Sequence, residues 1–109
     1  MDRARLRAEQ LLALSGAARR VSDLVAAAEM PLHYEVMRHL LRVSEETMTE
    51  VLEEAVGAAL VRRGDEPFSY VPFDDATGDA IRDAMGDERR ERLRQHIRSS
   101  ARRVLPEED

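Results

Sequence analysis

Three observations predict a mainly α fold of winged helix-turn-helix type, with a short two-stranded wing and two C-terminal helices. Apolar residues recur at helical spacing in several stretches separated by Gly, Ser or Pro. Two of these stretches, ending at Leu41 and beginning at Glu45, are joined only by Arg42-Val43-Ser44, the tight connection of a helix-turn-helix. The second of them then runs into LVRR, a GDEP turn and FSYVPF, a helix followed by a β-hairpin. In this arrangement the helix after the turn is the one that usually enters DNA. What it exposes is therefore the first functional question.

That helix is expected over Glu45–Ala59. Met48, Val51, Leu52, Ala55, Val56, Ala59 and Leu60 supply its apolar face. Ser44 stands where an N-cap is needed, and Glu45 and Glu46 where negative charge suits the helix dipole. Upstream, Asp2–Leu14 reads as a first helix with Leu6, Leu11, Leu12 and Leu14 on one side, broken by Ser15-Gly16. A second helix, Ala17–Glu29, buries Val21, Leu24, Val25 and Ala28 and is stopped by Pro31, which forces its predecessor out of the helical region. A third, His33–Leu41, carries Val36, Met37, Leu40 and Leu41. In the wing, Gly64-Asp65 is a competent turn, Pro67 limits pairing, and the second strand is expected to be an edge. Asp74 or Asp75 caps a fifth helix, Ala76–Met85, closed by Gly86; Asp87 caps a sixth, Glu88–Leu105, with Leu93, Ile97, Ala101 and Val104 as its stripe.

No linker is long enough to separate a second domain. The chain is read as one domain over 1–109: an N-terminal helix (1–14), the helix-turn-helix and wing (15–73), a helical pair (74–105) and an acidic tail (106–109). With 109 residues, 43% hydrophobic, two Tyr, two Phe and no Trp, its core must be small and aliphatic. The absence of cysteine excludes disulfides and thiolate metal sites and fits a cytoplasmic location. No apolar run is long enough for a membrane span and no signal peptide is evident, so no membrane partner is expected.

The formal charge of −5 argues against generic nucleic-acid binding but leaves room for a local basic face. Arginine is the only cationic side chain apart from histidine; lysine does not occur. Within Ser44–Ala59 the charged residues are Glu45, Glu46, Glu50, Glu53 and Glu54, with no Arg. A DNA reader needs donors for phosphates and guanine edges, and five carboxylates would face a polyanion. The expectation is a solvated acidic face, or one that docks on a basic protein surface through Glu46, Glu50, Glu53 and Glu54. The last helix is the opposite: seven arginines against two glutamates over Glu88–Val104. Arg89, Arg90 and Arg94, with Leu93 and Ile97 as an uncovered apolar stripe, are the candidate partner-binding residues there, the partner being another protein or a second copy. Arg62 and Arg63 of the wing and Arg98 and Arg102 of the last helix are the candidate nucleic-acid contacts.

Chemistry is harder to find. His33, His39 and His96 lack the spacing of a metal site. Asp75, Asp79 and Asp83 share a helical face but read as capping and solvation, and Ser22, Ser69, Ser99 and Ser100 belong to no nucleophile motif. No catalytic residue, metal or cofactor is expected.

Three runs carry a resemblance. LLALSGAARRVSDLVAAAEM, SEETMTEVLEEAVGAALVRR and AIRDAMGDERRERLRQHIRSSARRVL are together similar to the winged-helix segment that follows the ATPase core in STAND-type regulators, including the large LuxR-family and SARP-like ATPase regulators. The resemblance spans residues 11–104 and implies a regulatory role in transcription or signalling, in cis to an ATPase or in trans. That family often carries an aromatic-x-His after the wing, near a bound nucleotide. Here the stretch is Tyr70-Val71-Pro72-Phe73-Asp74-Asp75, without histidine, so nucleotide sensing is not carried over. A phosphate loop with its lysine is also missing, as are the helical repeats that usually follow. The chain is expected to be a piece of a larger regulator or a free-standing relative. The leading functional expectation is a non-catalytic protein-interaction module, the alternative a small winged-helix DNA-binding regulator.

Overall fold

A computed structural model describes residues 16–28 and 30–105. The expected first helix and the acidic tail lie outside the described residues. Five helices and three short strands follow one another: α1 (Gly16–Ala28), β1 (Leu32–His33), α2 (Tyr34–Leu41), α3 (Glu45–Gly57), β2 (Val61–Arg63), β3 (Ser69–Pro72), α4 (Asp75–Met85) and α5 (Asp87–Val104). The architecture is mainly helical with one small antiparallel sheet.

The helix ends follow from local chemistry. His33 precedes α2 and its Nδ1 accepts the Glu35 N–H at 3.0 Å, so His33 is the cap rather than the first helical residue. Ser44 Oγ accepts the Thr47 N–H at 3.2 Å at the start of α3. Asp74, not Asp75, caps α4, accepting the Thr77 N–H at 2.7 Å. Asp87 does not cap α5 as expected; it is the first helical residue, and Gly86 is the cap, without any side-chain bond. One glycine thus ends α4 and begins α5. Its φ of 81° and ψ of 159° fall in a region that only glycine occupies at low cost. At the other end of α1, the Arg82 guanidinium donates to the Ala26 carbonyl at 3.0 Å, placing a cation on a helix C-terminus.

The sheet corrects the two-stranded wing. Its order is β1-β3-β2, so the second wing strand is central and not an edge. Leu32 pairs with Tyr70 and His33 with Ser69 on one side; Val61, Arg62 and Arg63 pair with Pro72, Val71 and Tyr70 on the other. The cause is Pro31. It cannot continue α1, the chain leaves it extended, and Leu32 anchors that extended stretch in the core at 2% exposure. At the hairpin tip, Gly64 lies so close to β3 that a Cβ there would meet Ser69 Oγ at 2.6 Å.

One core unites α1, α2, α3 and α5. Val21, Val25, Val36, Met37, Met48, Leu52 and Val61 are buried in it, and Ile97 of α5 joins them at 7% exposure. Leu93, Ala101 and Val104 pack half-buried against the same cluster. Ala26, Leu60 and Ile81 form a satellite that seats α4. Two expectations change accordingly. The α5 stripe is not an uncovered surface, because α1 and α2 cover it. Val56, read as core, is 43% exposed, because it faces the open space between α3 and the sheet.

Candidate functional site

The site is built on α3. The helix turns Met48, Val51, Leu52 and Ala55 inward and leaves all five of its glutamates exposed. Glu46, Glu50 and Glu53 stand at i, i+4 and i+7, hence along one face, and Glu54 extends the same edge. Like charges at this spacing repel by a few tenths of a kcal/mol per pair, and α3 contains no cation to relieve them. Glu45 meets a cation from the neighbouring helix. Arg38 of α2 approaches it at 3.3 Å and Glu35 at 3.7 Å, tying α2 to the start of α3.

Beside this face runs an open groove of about 980 Å³ between α3, the start of α2 and the sheet. Its apolar surface comes from Leu52 and Val56 on one wall and Tyr34, Phe68 and Tyr70 on the other. Three of the chain's four aromatic residues therefore line one concavity. Phe68 is 71% exposed and has a φ of 62°, a left-handed conformation in which a bulky residue costs roughly 1–2 kcal/mol. His33 lies beneath it, with ring centroids 6.2 Å apart. Glu35, Glu45 and Glu53 stand at the rim, and Arg63 is the cation among the lining residues.

The arginines fall into two groups. Arg89 reaches Asp23 of α1 at 3.0 Å; Arg90 pairs with Asp87 at 3.3 Å and Arg94 with Glu91 at 3.5 Å. These three, expected to meet a partner, are engaged within the chain. The outward arginines of α5 are Arg92, Arg98, Arg102 and Arg103, all exposed. In the wing, Arg62 folds back so that its Nε donates to the Phe73 carbonyl at 3.1 Å, whereas Arg63 faces the groove. Leu93 and Ile97 belong to the core and leave the candidate surface.

One contact had no signal in the sequence. His39 Nδ1 lies 2.7 Å from Ser100 Oγ, joining α2 to α5 across 61 positions. It resembles a base beside a nucleophile, but Ser100 is 2% exposed and lines no part of the groove. It is a part-buried polar tie between helices, from exposed His39 to buried Ser100. Asp79 pairs with Arg82 at 2.6 Å, and Asp74, just before α4, is its cap. Among the described residues no group of three or more His, Asp or Glu is arranged to hold a metal ion, and no helix is long and apolar enough to cross a membrane.

No family model, curated protein or solved structure matches the chain.

Proposed function

We propose that the chain is a non-catalytic regulatory module of winged-helix type that docks to another protein or to a second copy of itself. The observation that carries this reading is the outward face of α3, where Glu46, Glu50 and Glu53 form an exposed acidic row with no cation on the helix. The order of elements supports the winged-helix part: a helix, a short strand, two helices joined by three residues, then a hairpin whose second strand lies between its neighbours. In that fold α3 is the element offered to DNA. A row of carboxylates there repels phosphate and attracts a basic protein surface. The resemblance to STAND-type regulators, in which such a segment relays regulation, supports the same reading.

The outward arginines of α5 provide one such basic surface on this chain, which makes self-docking the specific form to test. Light scattering at low salt is expected to show a mass above the monomer that returns to the monomer as salt screens the contact. A strict monomer at low salt removes self-docking and leaves docking to a different protein.

The second reading, a DNA-binding regulator, is favoured only by the exposed arginines Arg98, Arg102 and Arg63. It requires retention of random duplex at low salt, falling steeply as salt rises. A gel shift is expected to show no retention; clear retention that Arg98→Ala and Arg102→Ala abolish would replace the docking proposal.

A further inference from the structure

The groove beside α3 has a composition that the acidic face alone does not explain. We infer that it receives a leucine-rich segment of a partner protein that carries arginine, the aliphatic side chains filling the groove and the guanidinium lying between the aromatic rings and the carboxylates of the rim. This deepens the docking reading by naming the partner's chemistry, and it rests on that reading.

Four observations converge. The chain has only four aromatic residues, and Tyr34, Phe68 and Tyr70 all line this one concavity, although Tyr34 and Tyr70 come from different elements. Val56 and Phe68 stand 43% and 71% exposed at its walls, whereas the other aliphatic residues of α3 are buried. An apolar surface of this kind is costly to leave wet and is characteristic of a contact site. Phe68 is held in a left-handed conformation that glycine would adopt freely, so the ring is kept at the wing tip against a local preference. Finally, the lining carries three carboxylates, Glu35, Glu45 and Glu53, against Arg63. Glu35 and Glu45 already share Arg38, which demonstrates a guanidinium fitting between carboxylates at this edge, and Glu53 sits on a helix without cations.

Those features select the ligand. Aromatic faces attract cations, and the guanidinium does this best among side chains because it stacks flat while its edge donates to carboxylates. The apolar walls require aliphatic neighbours on the same segment. Duplex DNA offers neither, and its phosphates meet Glu45 and Glu53. The exposed face of this chain's own α5 offers arginines (Arg92, Arg98, Arg102 and Arg103) without an adjoining aliphatic row, so a second copy docked through that face leaves the apolar walls unfilled.

The test is fluorescence anisotropy with a labelled amphipathic peptide of about fifteen residues, arginines flanking a leucine face. Wild-type protein is expected to bind it and to reject the same peptide with glutamate in place of arginine. Phe68→Gly is expected to weaken binding about tenfold while raising thermal stability, since glycine relaxes the backbone there. That pairing separates a binding role from a structural one. Glu53→Arg, at an exposed position, is expected to weaken binding about tenfold with the fold unchanged by circular dichroism. Equal binding of both peptides, or unchanged binding by both variants, overturns the inference. So does a wild-type dimer that Val56→Asp converts to monomer, because the occupant is then a second copy. Loss of peptide binding with salt-dependent self-association intact ends the groove proposal alone; retention of DNA through the arginines ends the docking reading as well.

Discussion

Helices α3 and α5 solve the same packing problem with opposite surfaces. Each buries one side in the common core, α3 through Met48 and Leu52 and α5 through Ile97. Outward, α3 presents glutamates and α5 presents arginines. They also treat their charge differently. Two of the inner arginines of α5 are balanced by carboxylates three positions earlier, in the Asp87–Arg90 and Glu91–Arg94 pairs. The acidic row of α3 has no counterpart on its own helix. Charge that is balanced within an element serves that element; charge left unbalanced is available to something else. Both outward surfaces meet that measure in part, but α3 also borders the apolar groove, and the candidate site lies there.

The comparison can be broken most strongly from its buried side. Ile97→Ala is expected to destabilise the fold by about 2–5 kcal/mol in urea denaturation, because it opens a cavity where α5 meets α1 and α2. Were Ile97 a surface contact, stability would be untouched. Next in size, Gly86→Ala is expected to cost about 1–3 kcal/mol, since its φ and ψ are forbidding for any residue with a Cβ. No neighbour lies within 4 Å of the added carbon, so the cost is conformational and steric relief elsewhere will not recover it. Ser100→Ala removes the partner of His39 and is expected to cost about 1 kcal/mol. Arg89→Ala breaks a partly exposed pair with Asp23 and is expected to cost about 0.2–1 kcal/mol, whereas Arg98→Ala leaves stability unchanged. The smallest effect on stability sharpens the comparison most. Reversing Glu46, Glu50 and Glu53 to arginine is expected to change stability by only a few tenths of a kcal/mol yet to create retention of duplex DNA at low salt. If the reversed protein still ignores DNA, the charge of α3 is not what excludes it.

Much of the helical framework was legible in the sequence, because spacing, caps and breakers act locally. Ser44 and Gly86 mark helix boundaries by residue type alone, and α3 ends within two residues of its predicted end. What failed has a common cause. Strand β1 is two residues long, too short for any alternation, and His33 in it reads as the start of the next helix. It becomes a strand only because β3 folds back beside it. The groove depends on that pairing, since Tyr34 and Phe68 are brought together by the Tyr34 N–H donating to the Phe68 carbonyl at 2.8 Å. A site assembled by an illegible strand is itself illegible. The same holds for His39 with Ser100 and for Asp23 with Arg89, separated by 61 and 66 positions. The α5 stripe failed differently: its pattern was correct, but the pattern cannot say whether the cover comes from the same chain.

The glycine between α4 and α5 has a mechanical consequence. A helix of 18 residues is about 27 Å long, and here one residue sets the direction in which it leaves the preceding helix. Gly86 is thus a fulcrum and α5 a lever arm. Arg89–Asp23 clamps the arm close to the fulcrum, and His39–Ser100 clamps it near the far end. A turn of about ten degrees at the fulcrum would sweep the last turn of the helix by roughly 5 Å, carrying Arg102 and Arg103 with it. With both clamps closed, the direction in which those arginines project is fixed by the body of the molecule. Were the far clamp released, Ile97 and the half-buried Leu93, Ala101 and Val104 would still hold the arm against the body.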